Sequence, residues 1–152
     1  MTAASVRPVF RSRPRWLPVD LRAPWRMALV MIVVDACWGR RASRLQVQAL
    51  SWVLLRPTVR EEIPSLLSQN TLVSRSTPHI DNAVERAVDM AIGFGLLVES
   101  RGRVTLSNDG RSALNEIIHH NVFEVERQTL RALPNRFTQS DAERVLGIGG
   151  RV

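Results

Sequence analysis

The segment formed by residues 95–110, GLLVESRGRVTLSNDG, constrains the fold most strongly, because the spacing of apolar residues changes there. Upstream, in HIDNAVERAVDMAIGFG, apolar pairs recur every four residues, which places them on one face of a helix. Asn82 and Glu85 match the spacing of a capping box, which predicts that this helix is capped by Asn82. Within the segment, residues 96–99 and 103–106 are short extended runs joined around a glycine. The sequence therefore predicts a helix that leads directly into a two-stranded β-hairpin, with Arg101 and Arg103 at its tip.

Helical spacing predicts further helices before and after this hairpin. Residues 43–57 run from an N-cap at Ser43 to a stop at Pro57. The preceding run, MALVMIVVDACWGR, fits either a buried strand or a buried helix. After the hairpin, the apolar spacing predicts one long helix closed by Pro134, and SDAERVLG predicts a short final helix capped by Ser140.

A winged helix begins with helices, continues with a helix that leads into a hairpin, and ends with a helix that packs back against the others. The elements predicted here follow that order. The sequence therefore predicts a mainly α fold, a winged helix-turn-helix of three or more helices plus a two-stranded wing, with a C-terminal helical extension and an extended Pro/Arg-rich N-terminal arm. We expect the arm over residues 1–26, the winged-helix domain with its trailing helix over 27–133, and a short helix and tail over 134–152. The alternative is a helical bundle that carries an incidental hairpin.

Most of the excess positive charge lies in the predicted arm. The net charge is +7, and residues 1–26 hold six Arg against one Asp, with four prolines that interrupt regular helix. Trp16 and Trp25 stand among these arginines, so the arm either stacks on nucleic-acid bases or orders against a protein partner. We expect a protein partner, with the two Trp residues as anchors. The residues expected to give sequence-blind, salt-sensitive DNA contact are Arg7, Arg11, Arg13, Arg15, Arg101 and Arg103.

The helix before the hairpin has the position of a DNA-reading helix but the wrong charge. Its expected exposed residues, which follow Asp81, are Asn82, Glu85, Arg86 and Asp89. Three acids then face one Arg, whereas a helix in a DNA groove needs cationic or amide side chains. We therefore expect these four residues to bind a protein partner rather than DNA.

The sequence carries no pattern typical of an enzyme, a metal site or a cofactor site. His119 and His120 are adjacent, so on a helix they point about 100° apart and do not chelate a metal from one face. The single cysteine, Cys37, lies in an apolar run and is expected to be a buried structural thiol. The longest apolar run, residues 28–34, is far shorter than the roughly 20 residues that span a bilayer. We expect a non-enzymatic cytoplasmic protein without a small-molecule substrate.

Residues 26–118 resemble a known family. The segments that carry the likeness are RMALVMIVVDACWGRRASRLQVQALSWVLL and HIDNAVERAVDMAIGFGLLVESRGRVTLSNDGRSALNEI. They are similar to the helices and wing of the middle components of bacterial ABC-three component (Lamassu-type) defence systems, winged-helix proteins encoded beside an SMC-like ATPase and an effector. The resemblance implies a non-enzymatic adaptor that bridges the ATPase subunit and the effector subunit in anti-phage defence. The alternative is a free-standing winged-helix transcriptional regulator that binds DNA.

Overall fold

The fold is mainly helical with a small antiparallel sheet, which confirms the predicted class. The computed structural model describes residues 22–69, 80–133 and 137–148. The elements in chain order are α1 (Ala23–Ala36), β1 (Arg41–Ala42), α2 (Arg44–Leu54), α3 (Pro57–Gln69), α4 (Asn82–Gly93), β2 (Leu97–Ser100), β3 (Arg103–Leu106), α5 (Asn108–His119), α6 (Glu124–Ala132) and α7 (Gln139–Leu146). A 3₁₀ turn, Trp38–Arg40, joins α1 to β1.

The three strands form one sheet in the order β1-β3-β2. β2 and β3 are the predicted hairpin. Its turn residues, Arg101 and Gly102, both have positive φ, 52° and 73°, as the type I′ turn of a two-residue hairpin requires. β1, which was not predicted, pairs with β3 and places Arg41 opposite Thr105. A strand of two residues is too short to produce an alternating pattern in the sequence.

The apolar run that fitted either a strand or a helix is α1, and it lies at the centre of the core. Residues 29–34 are all buried, and α1 contacts α2, α4, α5 and α6. A helix buried on every side has no polar stripe, so its sequence pattern cannot distinguish it from a buried strand. α1 begins at Ala23, with Pro24 in its first turn, where a missing N–H removes no hydrogen bond. Residues 23–26, expected in the arm, therefore belong to this helix.

Two helices begin at residues other than those predicted. α4 is capped by Asp81 rather than by Asn82, because the Asp81 carboxylate accepts the Ala83 N–H at 2.8 Å. α7 is capped by Thr138 rather than by Ser140, because the Thr138 hydroxyl accepts the N–H three residues further on. In both cases a second residue with good capping chemistry stands close by, so composition alone does not choose between them.

The long helix predicted after the hairpin is two helices, α5 and α6. Asn121 and Phe123, between them, have positive φ of 54° and 63°, a conformation that ends a right-handed helix. The break turns Phe123 into the core, where its ring centroid lies 4.9 Å from that of Trp25. Apolar residues keep helical spacing across the break, so the periodicity did not reveal it.

Candidate functional site

α4 lies directly ahead of the wing, the position of the recognition helix in a winged helix-turn-helix. Its buried residues are Val84, Ala87, Val88 and Ala91, and α4 contacts α1 and α2. The small alanine side chains allow close approach of the neighbouring helices. Gly95, at a φ of 73°, ends the helix and turns the chain into β2. The other side of α4 is consequently left facing solvent.

The solvent-facing side of α4 is partly apolar. Four exposed residues follow one another at intervals of four and so lie along one side of the helix: Asn82, Arg86, Met90 and Phe94. Phe94 is 68% exposed and Met90 is 39% exposed. Aromatic residues and methionine are enriched in the cores of protein interfaces. We refer to these four residues as the α4 strip.

The acidic residues of α4 are paired within the chain. Arg44, at the start of α2, donates hydrogen bonds to Glu85 at 2.8 Å and to Asp89 at 2.8 Å. It also donates two bonds of 2.9 Å to the Glu99 carboxylate on β2. The hydrogen bonds between Arg44 and Glu99 raise the pKa of the guanidinium and lower the pKa of the carboxyl below its usual range. One guanidinium group thus connects α2, α4 and the wing.

A second polar network fixes the start of α4. The buried Gln48 side chain donates to the Asp81 carbonyl at 3.0 Å and accepts the Asp81 N–H at 3.0 Å. Gln48 also donates to Glu85 at 2.9 Å. Arg26, on α1, donates to the Asp81 carboxylate at 2.9 Å. The start of α4 is therefore held against both α1 and α2 by directional bonds.

These networks correct the expectation of an acidic face. Three of the predicted partner-binding residues are exposed as expected: Asn82, Arg86 and Asp89. Glu85 is half-buried instead, because its carboxylate accepts from Arg44 and Gln48. The count of three acids against one Arg omitted Arg26 and Arg44, which are distant in the sequence and pair with those acids. The face is consequently close to neutral.

The other predicted site residues divide into three groups. Trp25 packs against Phe123 within α1 and the core, so it is not an anchor on a free arm, contrary to the prediction. The remaining arm residues lie outside the described residues: Trp16, Arg7, Arg11, Arg13 and Arg15. Arg101 and Arg103 are exposed on the wing, and Arg103 donates to the Gln46 side chain at 3.3 Å.

A further exposed surface lies on the side of the sheet away from the core. Arg41 is paired with Thr105, two residues from Arg103, so both arginines lie on the same side of the sheet. Trp38, in the 3₁₀ turn, is 65% exposed and lines a surface cavity together with them. We refer to Trp38, Arg41 and Arg103 as the outer sheet face. Sequence reasoning missed this surface because it depends on β1.

Cys37 is buried, as predicted. Burial raises the pKa of its thiol to about 12, and the charge of the neighbouring Arg103 opposes part of that rise. Among the described residues, no three His, Cys, Asp or Glu side chains are grouped so that they could hold a metal ion. Within the same ranges, no helix has both the length and the apolar character needed to cross a bilayer.

Comparison of the chain with known protein families, with curated proteins and with solved structures finds no match.

Proposed function

We propose that this protein is a non-enzymatic adaptor whose α4 strip binds a protein partner, as a subunit of a cytoplasmic SMC-like ATPase complex in bacterial anti-phage defence. The observation that carries the proposal is the character of the α4 strip. It exposes Phe94 and Met90 at the position where a DNA-reading helix presents cations and amides.

The charges around α4 argue against DNA as its ligand. Only Arg86 and Asn82 on the strip suit a contact with phosphates or base edges, and the exposed Asp89 lies beside them on the same helix. Asp89 is already paired with Arg44, so this side offers a phosphate a single Arg rather than the several cations that a groove-bound helix needs. Arg44 does not add to the positive charge of this side, because its guanidinium is shared among three carboxylates.

The rigidity of α4 favours a role as a docking surface. Arg44 and Gln48 fix the helix against α2, and Glu99 extends the same network to the wing. A partner that binds a surface already held in place loses less conformational freedom on association. The exposed apolar side chains then supply the contact area, since tightly packed aromatic anchors dominate the affinity of most interfaces.

The identity of the partner rests on the resemblance of residues 26–118 to the middle components of ABC-three component systems. In that role the chain bridges an SMC-like ATPase subunit and an effector subunit of the same operon, and neither a cofactor nor a catalytic group is needed. The α4 strip, whose one charged residue is Arg86, would meet its partner mainly through apolar contacts, rather than through the acidic contacts expected from the sequence.

Affinity capture of the tagged protein from its native host, with quantitative mass spectrometry, tests both parts of the proposal. We expect the wild type to recover a large coiled-coil ATPase in a fixed ratio. A variant with Met90→Ser and Phe94→Ser should recover at least about tenfold less, because losing two interface anchors costs more than about 1.4 kcal/mol. Val125→Ser and Ile148→Ser change exposed apolar residues elsewhere and are the matched controls.

Two results would contradict the proposal. Recovery of the protein without an ATPase, together with enrichment of one promoter fragment, would identify the chain as a DNA-binding regulator. Equal recovery of the ATPase by the wild type and by the strip variant would show that the α4 strip is not the docking surface.

A further inference from the structure

We infer that the outer sheet face binds single-stranded nucleic acid, with a base stacked on the Trp38 indole and phosphates held by Arg41 and Arg103. None of the residues of the α4 strip takes part. The strand register and the exposure of Trp38 carry the inference, together with the absence of any ion pair at Arg41 or Arg103 among the described residues.

The strand register places the two arginines on one surface. Arg41 of β1 lies opposite Thr105 of β3, and Arg103 is two residues along the same strand, so the pair are diagonal neighbours. The alternate residues of β3, Val104 and Leu106, are buried and form the opposite side. The arginines therefore lie on the solvent side of the sheet, within reach of one ligand.

A tight turn displays Trp38 next to this surface. Gly39 and Arg40 both have positive φ, 67° and 53°, so the chain changes direction immediately after Trp38. The Arg40 N–H donates to the Cys37 carbonyl at 2.8 Å and closes the turn. Tryptophan is on average one of the more buried residue types, so an indole exposed to 65% is unusual in a chain with a well-formed core.

The space in front of these side chains is large enough for a nucleotide. Trp38, Gly39, Arg41 and Arg103 line a surface cavity of about 450 Å³. A second cavity, of about 220 Å³, lies between the outer sheet face and the residues Gln46, Phe137 and Thr138. Sites for small molecules start at roughly 300 Å³, so the larger cavity is of a suitable size.

The outer sheet face keeps its positive charge. Across residues 22–69, 80–133 and 137–148, neither Arg41 nor Arg103 forms an ion pair with a carboxylate. Arg103 is hydrogen-bonded to Gln46, which is neutral. Asp35 is engaged by Arg40 at 3.6 Å. Two guanidinium groups thus remain available for anionic groups of a ligand.

Single-stranded nucleic acid is the ligand that uses all three side chains. Its bases stack on aromatic rings while its phosphates pair with cations, and each stacked base contributes substantially to affinity without regard to sequence. A duplex keeps its base faces inside the stack and would contact only the arginines. An acidic peptide would pair with the same arginines but stacks on the indole only where it carries an aromatic residue at the right spacing, whereas every nucleotide carries a flat base beside its phosphate.

Fluorescence anisotropy of a labelled oligothymidylate about 12 nucleotides long, a length typical of single-strand sites, tests the inference with the full chain. We expect Trp38→Leu to raise the Kd about tenfold, because one stacked base contributes a factor of roughly 5 to 150. Trp38→Phe should restore most of the affinity, since it keeps an aromatic ring. Circular dichroism checks that each variant is folded.

The arginines are tested by the salt dependence of the same binding. Replacing Arg41 and Arg103 with Gln should reduce the slope of log K against log salt by about 1.4, since each single-strand phosphate contact contributes about 0.7. Replacing Arg111 and Arg131 with Gln removes equal charge from exposed positions on α5 and α6 and should leave the slope unchanged.

Three results would overturn the inference: equal affinity of the wild type and Trp38→Leu, equal salt slopes for the two double variants, or tighter binding of a duplex of the same length. Full displacement of the oligonucleotide by a poly-Glu peptide at equal charge concentration would also overturn it and would indicate an acidic protein ligand. The variants differ from those of the α4 strip, so this inference and the proposed function can fail separately.

Discussion

Gly110 ends the segment that defines the wing, and its lack of a side chain allows a close backbone contact. A Cβ added to Gly110 would lie 2.0 Å from the Leu96 carbonyl oxygen and 3.2 Å from a Leu106 methyl group. The Leu96 carbonyl is held there by the Ser107 N–H at 3.0 Å, and the Gly110 N–H donates to the Ser107 hydroxyl at 3.0 Å. This contact closes the joint between the wing and α5.

We predict that Gly110→Ala destabilises the fold by about 2–3 kcal/mol. A carbon approaches a carbonyl oxygen to about 3.3 Å, so the backbone at Leu96 or Gly110 would have to move by more than 1 Å. Overpacking of this kind typically costs about 1–3 kcal/mol of stability, and the higher helix propensity of Ala offsets only part of this loss. For a chain of this size the change corresponds to a fall in Tm of roughly 4–12 °C.

Urea unfolding followed by circular dichroism measures this change, with Gly93→Ala as the matched control. Gly93 ends α4 and has no atom within 4 Å of an added Cβ, so its replacement by Ala should be neutral or stabilise by up to about 1 kcal/mol. If Gly110→Ala unfolds at the same urea concentration as the wild type, then the Leu96 carbonyl does not require glycine and the reasoning is wrong.

Three further predictions concern the polar networks and the thiol. Arg44→Gln should lower the free energy of unfolding at pH 7 by about 1 kcal/mol, because several charges share one guanidinium. That guanidinium lowers the folded-state pKa of Glu99, so the stabilisation is present above about pH 4.3 and is lost as the pH falls further. The urea midpoints of the variant and the wild type should therefore converge in acid. A constant difference between them down to pH 3 would contradict this. Gln48→Leu should cost about 1–3 kcal/mol in chemical denaturation, because the Asp81 N–H loses its bond to the Gln48 side chain and the Glu85 carboxylate loses a donor, and an unchanged midpoint would refute that role. Cys37 should react with a thiol reagent only as fast as the protein unfolds, because its side chain is 4% exposed and its pKa is raised to about 12. Rapid labelling of the native protein would disprove its burial.

The wing was predictable because its determinants are local. Gly95 and Gly102 both have the positive φ that glycine favours, and the extended runs between the helices are short and clearly bounded. α1 was not predictable in the same way. Its apolar residues face neighbours on every side, so the pattern that normally identifies an amphipathic helix is missing. The two-residue β1 is below the length at which alternation becomes visible.

The character of the candidate site depended on contacts between distant residues. The charge count along α4 treated every carboxylate as free. In the fold, Arg44 reaches Glu85 across 41 positions of the sequence, and Arg26 reaches Asp81 across 55. No local pattern contains such pairs, so the sequence predicted an acidic surface where the fold has a neutral, partly apolar one. The position of the site was predicted from the order of elements, whereas its chemistry was not.

The Arg44 network gives the two proposed surfaces a common support. Glu99 of β2 is bonded to Arg44, β2 is paired with β3, and β3 carries Arg103 on the outer sheet face. One ligand changes the affinity for another only where it interacts differently with two states of the protein. We expect this support, joined by hydrogen bonds from α4 to the wing, to keep one arrangement, in which case neither ligand would shift the other's equilibrium through it. An adaptor built in this way would bring a protein and a nucleic-acid strand together by raising their effective concentration, rather than by switching between conformations.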